Sequence, residues 1–133
     1  MHNEDNLEFA LVKCSDKLMS IFGYWPEFCD AKIKSLVFSK SSIDGDSIQF
    51  LISYIDSSLS LKAVISLIFK EVENLNLSDL MNENVLDELL IQTSSTNSMY
   101  IDVELVSCYG LCGSFICRSV ELLDVNSGIV DRP

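Results

Sequence analysis

From residue 32 onward the chain alternates apolar and polar positions, the spacing of strands that bury one face. In "KIKSLVFSK" Ile33, Ser35 and Val37 share one face, with Lys34, Leu36 and Phe38 on the other. "SIQFLISYI" aligns Ile48, Phe50, Ile52 and Tyr54, and "SLKAVISLIFKEV" aligns Leu61, Ala63, Ile65, Leu67 and Phe69. The Asp-Gly pair at 44–45 marks the turn between the first two runs. The three runs predict an antiparallel meander with one buried face. "MYIDVELVS" repeats the pattern, with Ile101, Val103 and Leu105 inward and Tyr100, Asp102 and Glu104 outward.

Elsewhere the period breaks. "ENLNLSDLMNENVLDE" is rich in Asn and acids and predicts a turn with one helical turn, followed by a strand at "LLIQTSS". "CYGLCG" predicts a tight connection. In "SFICRSVELLDV" the inward set slips by one residue, from Phe115 and Cys117 to Val120 and Leu122, which predicts a bulge near Arg118–Ser119. One helix is expected near the N-terminus: Ser15 caps it, Leu18, Met19 and Phe22 share a side, and Gly23 stops it. "LEFALVK" at 7–13 reads as a short strand or an extension of that helix. The expectation is an α+β fold, one N-terminal helix packed on an antiparallel sheet of about six strands. A single domain spans 1–133, with 1–6 and 126–133 frayed.

Charge narrows the partners. The chain has 20 acids and 9 Lys/Arg, a net charge of −11. Residues 1–70 carry nine acids and seven bases, and residues 71–133 carry eleven acids and two bases, so the second part alone contributes −9. Phosphate backbones and anionic membrane surfaces both require the opposite sign, so neither nucleic acid nor a membrane is expected as a partner. A basic partner fits. The acidic N-terminus lacks the basic and apolar parts of a secretory signal, and five cysteines read as reduced thiols; both point to the cytoplasm.

The residues that carry chemistry elsewhere do not assemble into a catalytic motif here. Cys108, Cys112 and Cys117 lack a fourth zinc ligand, and the single histidine is His2. Cys29 is flanked by Glu27 and Asp30, which oppose a thiolate. Asp102 with Glu104, and Asp44 with Asp46, are carboxylate pairs on positions expected to face water. We expect no enzyme activity, no metal and no cofactor.

The densest stretch is "IFGYWPEFCDAKI", which holds the only Trp together with Phe22, Tyr24 and Phe28. Trp25 precedes Pro26 and is therefore extended, and Trp25 and Phe28 are expected to pack across the joint between helix and sheet. "FGYWPEFCDAKIKSL" resembles the FG-x-WP-x-FHDA-x-(I/V) signature of the immunity protein 50 family. "LIFKEVENLNL" with "NENVLDELLI" resembles that family's middle segment, and "YGLCGSFIC" its closing YGL-x-G-x-F-x-C segment. The matching signature residues are Gly23, Trp25, Pro26, Phe28, Tyr109, Gly110, Gly113 and Phe115; Cys29 stands where the family carries His. The resemblance implies a protein that neutralises a cognate bacterial toxin domain by stoichiometric occlusion. Charge adds that this toxin is basic, as a nuclease domain is. Tyr24, Glu27 and Asp30, the acidic loop residues Asp79, Glu83, Asp87 and Glu88, and Asp102 and Glu104 are the candidate contacts. The alternative is a self-associating β-module, and the free chain is expected to be a monomer or weak homodimer.

Overall fold

The computed structural model describes residues 8–130. Nine strands form one mixed sheet: β1 (Val12–Lys13), β2 (Lys32–Ser39), β3 (Ser47–Asp56), β4 (Leu61–Lys70), β5 (Glu73–Ser78), β6 (Val85–Thr93), β7 (Ile101–Tyr109), β8 (Cys112–Cys117) and β9 (Ser119–Ile129). The helical parts are a four-residue turn, α1 (Glu8–Leu11), and the seven-residue α2 (Asp16–Phe22). Spatial order is β1-β9-β4-β3-β2-β6-β7-β8-β5, with β1 parallel to β9 and every other pair antiparallel.

This overturns the α+β expectation of one helix on about six antiparallel strands: the fold is mostly β. Three physical reasons account for the difference. Residues 73–78 are expected in a turn because the segment is rich in Asn and acids, but they form β5, an edge strand that is exposed except for Leu77, which packs against the core, so polar composition there does not mark a loop. The slip at Arg118 is a strand break that separates β8 from β9, more than a bulge. Residues 8–13 of "LEFALVK" divide into α1 and a two-residue β1.

The sheet folds back on itself. Its two parts, β1-β9-β4-β3-β2 and β6-β7-β8-β5, are joined side by side through the single β2–β6 pair Lys32↔Val85. The chain crosses between them at two adjacent corners. One is Glu71–Val72, where Glu71 has a left-handed φ of 56°, and the other is Arg118, whose N–H donates to the Lys70 carbonyl at 3.0 Å. The inner faces therefore meet. Phe50, Phe69 and Phe115 stack edge to face, with centroids 5.7 and 5.2 Å apart, and Ile48, Ile52, Ile65, Leu67, Ile91, Val103 and Leu122 are fully buried around them. Each such side chain contributes roughly 1.5–3 kcal/mol of burial free energy.

The inward sets expected for β3, β4 and β7 are the observed ones. In β2 a bulge between Ile33 and Ser35 switches the phase, so Leu36 packs against the core and Val37 is 54% exposed. Leu18 and Phe22 of α2 are buried, and Phe22 meets Tyr54 edge-on at 5.3 Å. Gly23, at φ 84°, ends the helix and returns its N–H to the Met19 carbonyl at 2.7 Å. Ser15 occupies the N-cap position but keeps a helical backbone and makes no side-chain cap bond, contrary to expectation. β9 runs to Ile129, within the stretch 126–133 where fraying is expected, and the Val130 N–H donates to the Ser60 carbonyl at 2.9 Å. Residues 1–7 and 131–133, including the expected fraying at 1–6, lie outside the described residues.

Candidate functional site

The stretch between α2 and β2 forms the seam of the folded sheet. Pro26 blocks helix continuation, and residues 27–33 run beside 84–89 as an irregular extension of the single β2–β6 pair. The Leu89 N–H donates to the Glu27 carbonyl (3.0 Å), the Asp30 N–H to Leu86 (2.8 Å), the Leu86 N–H to Ala31 (2.8 Å) and the Ile33 N–H to Asn84 (2.9 Å). Two residues in this run take left-handed backbone conformations, Phe28 at φ 67° and Asp30 at φ 66°. Such a conformation costs a bulky residue of order 1–3 kcal/mol and persists only where the surroundings enforce it. Here the enforcement is packing. Phe28 is fully buried, edge-on to Trp25 at 5.8 Å and to Tyr54 at 5.7 Å, while Glu27, Cys29 and Asp30 are turned outward.

The start of β6 supplies two more carboxylates. Register shifts flank Leu86 and leave Asp87 without a partner on β7. Asp87 and Glu88 therefore both escape the core between buried Leu86 and Leu89. Glu104, paired with Leu90, extends the same face from β7. Partial burial, then Glu27, Asp87 and Glu104, raise the Glu88 carboxyl above its ordinary value. Asp30 first, then slight desolvation, Asp87, Cys108 and Glu27, raise the Cys29 thiol. Cys108 is raised by desolvation, Asp87 and Asp30, and its thiol donates to Asp30 Oδ1 at 3.9 Å. Both thiols are thus held protonated, which makes them poor nucleophiles.

Five of the nine expected contact residues therefore share one face: Glu27, Asp30, Asp87, Glu88 and Glu104. Tyr24 lies beside them but is not a free lip. Its hydroxyl donates to Asp56 Oδ2 at 2.5 Å and lies 2.8 Å from the Tyr54 hydroxyl. Because the Asp56 carboxylate takes the Tyr24 proton, Tyr54 is the donor to Tyr24. Desolvation and the Asp56 bond push Tyr24 far above the ordinary phenol range, and the Tyr24 bond holds Asp56 below the usual carboxylate range. Asp79 and Glu83 lie apart, in the connection from β5 to β6, where Asp79 accepts a 3.7 Å contact from the Cys112 thiol. Asp102 sits with Glu104 in a groove on the outer surface of β5–β8 and their neighbours.

The signature glycines have structural work to perform. A Cβ on Gly110 (φ 87°) would lie 2.5 Å from Asn84 Oδ1, and one on Gly113 (φ 137°) would lie 2.0 Å from the Asn76 carbonyl. Phe115 is core, and Tyr109 is 49% exposed. Asn84, which sequence reasoning passed over, is a buried joint. Its Oδ1 accepts from the Met81 (3.0 Å) and Leu111 (2.8 Å) amides, and its Nδ2 donates to the Met81 carbonyl at 2.9 Å. Tyr54, Asp56 and Cys108 were also missed. They come from distant strands, and only the phase of β3, which puts Tyr54 in line with Ile52, hinted at one of them.

Cys108, Cys112 and Cys117 face Asp30, Asp79 and the core respectively, and burial raises the Cys117 thiol to about 12. Among the described residues no group of three or more His, Cys, Asp or Glu side chains is placed to hold a metal ion, and no helix is long and apolar enough to cross a membrane. No protein-family model matches the chain, and no curated protein or solved structure matches it.

Proposed function

We propose that this protein binds a basic protein partner through the acidic face on its seam and, as the sequence resemblance implies, that the partner is a toxin domain it neutralises by occlusion. The observation that carries the reading is the convergence of Glu27, Asp30, Asp87, Glu88 and Glu104 on one face, where partial burial and then the charges of Glu27, Asp87 and Glu104 raise the Glu88 carboxyl. A folded chain holds uncompensated like charges together at a cost in stability, and an oppositely charged partner relieves it. Close charge pairs in such complexes couple by ~1.5–7 kcal/mol. The self-associating alternative needs a usable sheet edge. The two edges are β1, two residues long, and β5, which is bulged between Glu73 and Asn76 with Asn74 at φ 54°, a geometry that disfavours edge pairing.

The test is a stepped-salt capture comparing the natural chain with a Glu27→Gln, Asp30→Asn, Asp87→Asn, Glu88→Gln variant. The expected result is one basic protein retained by the first, lost from the second, and inactivated at one-to-one stoichiometry. Equal retention by both baits removes the seam from the interface.

A further inference from the structure

A groove of about 330 Å³ lies on the outer surface of β6, β7 and β8, rimmed by Asn74 of β5. Asp102 and Glu104 project from β7 in its middle. They are two residues apart on one strand, so their Cα atoms are separated by roughly 6.5–7 Å. Leu90 of β6 and Ile116 of β8 form apolar walls on opposite sides of β7, and Gln92, Ser114 and Asn74 complete the lining. Among the described residues, the side chains of Asn74, Gln92, Asp102, Glu104 and Ser114 make no hydrogen bond or ion pair within the protein. The nearby cation is engaged elsewhere: the Arg118 guanidinium lies over the Tyr100 ring, 5.0 Å from its centroid, and is influenced by Glu71 and Glu73.

Apolar walls with a few convergent, solvent-facing polar groups that no other side chain engages describe a ligand site, and the volume is at the lower end of the usual range. We propose that this groove receives an arginine side chain. The aliphatic stem lies between Leu90 and Ile116, and the guanidinium lies between the Asp102 and Glu104 carboxylates. A planar fork of five donors matches two carboxylates better than an ammonium does, and Gln92, Ser114 and Asn74 offer further acceptors. Glu104 belongs both to this groove and to the acidic face, because it acts on Glu88. The inference deepens the reading above and rests on it only for the protein that presents the arginine.

Three probes test it by amide chemical shifts: agmatine, N-acetyl-arginine methylamide and the uncharged N-acetyl-citrulline methylamide. The expected result is saturable shifts at residues 90–92, 102–104 and 114–116 with the arginine derivative and none with the citrulline derivative. The Asp102→Asn, Glu104→Gln variant, whose dispersed spectrum reports its fold, should bind at least about tenfold more weakly. Binding of agmatine with exclusion of the capped derivative would assign the groove to a free cation and overturn the protein-borne arginine. Equal response to citrulline, shifts that never saturate, or an unaffected double variant would overturn the groove itself. The variant keeps Glu27, Asp30, Asp87 and Glu88, so salt-dependent capture of a partner that survives groove failure leaves the seam reading standing.

Discussion

Replacing Asn84 with Ala removes three side-chain bonds from the corner where β6 begins and the β7–β8 connection passes. The side chain is nearly buried, at 7% exposure, and the Leu111 amide it caps is buried too. A typical intramolecular hydrogen bond contributes about 1 kcal/mol net, so the three amount to about 3 kcal/mol. The stranded Leu111 amide places the true cost at or above that figure unless water enters. With an unfolding entropy near 2 cal/mol/K per residue, a chain of this size should lose about 10 °C in Tm. The assay is paired thermal and urea unfolding, with the urea slope unchanged if the native fold is kept. A second substitution sharpens the test. Gly110→Ala drives a methyl group to 2.5 Å from Asn84 Oδ1, and to 2.8 and 2.9 Å from the Glu83 carbonyl and Asn84 Cα. The double variant should therefore be less damaged than the two losses added together, because removing the Asn84 amide relieves one of the three clashes. A Tm within about 2 °C of the natural chain for Asn84→Ala, or strict additivity with Gly110→Ala, would refute the reasoning.

Glu88→Gln should stabilise the protein at pH 7 by about 0.5 kcal/mol after screening, read by thermal unfolding at several pH values. The sign follows from the raised folded-state pKa. The native chain holds the Glu88 proton more tightly than the unfolded chain, so this group's contribution falls as pH rises from about 4.3 through the raised value. The gain should vanish in acid and shrink in salt; a gain that persists at low pH would refute it. Asp30→Asn should speed alkylation of Cys29 about two- to threefold at neutral pH, because Asp30 is the largest influence raising that thiol; peptide mass mapping reads the rate, and no change would refute the assignment. Gly113→Ala should cost about 3 kcal/mol or more, since backbone and not a flexible side chain blocks its Cβ, with amide exchange rising first in β5. Retained β5 protection would show that the strand can shift to admit the methyl group.

The residue pattern alone determined the phases of β3, β4 and β7, because each buries one face in a thick core and alternation is what that burial selects. It also marked the helix stop at Gly23 and an irregularity at Arg118, which reads as a bulge in the sequence and is a strand break in the fold. Tertiary structure decided the rest. β5 is an edge strand that buries little beyond one side of Leu77, so its Asn-rich and acidic composition reads as a turn. Period-two spacing puts Val37 on the same face as Ile33, and one bulged residue at the start of β2 turns it away to the exposed side. The acidic face joins residues 27–30, 87–88 and 104, which are far apart in the chain. Their proximity follows from the seam between β2 and β6, held by backbone bonds that carry no side-chain signature. Sequence showed that the chain was acidic; only the fold could show that five of the carboxylates face the same way.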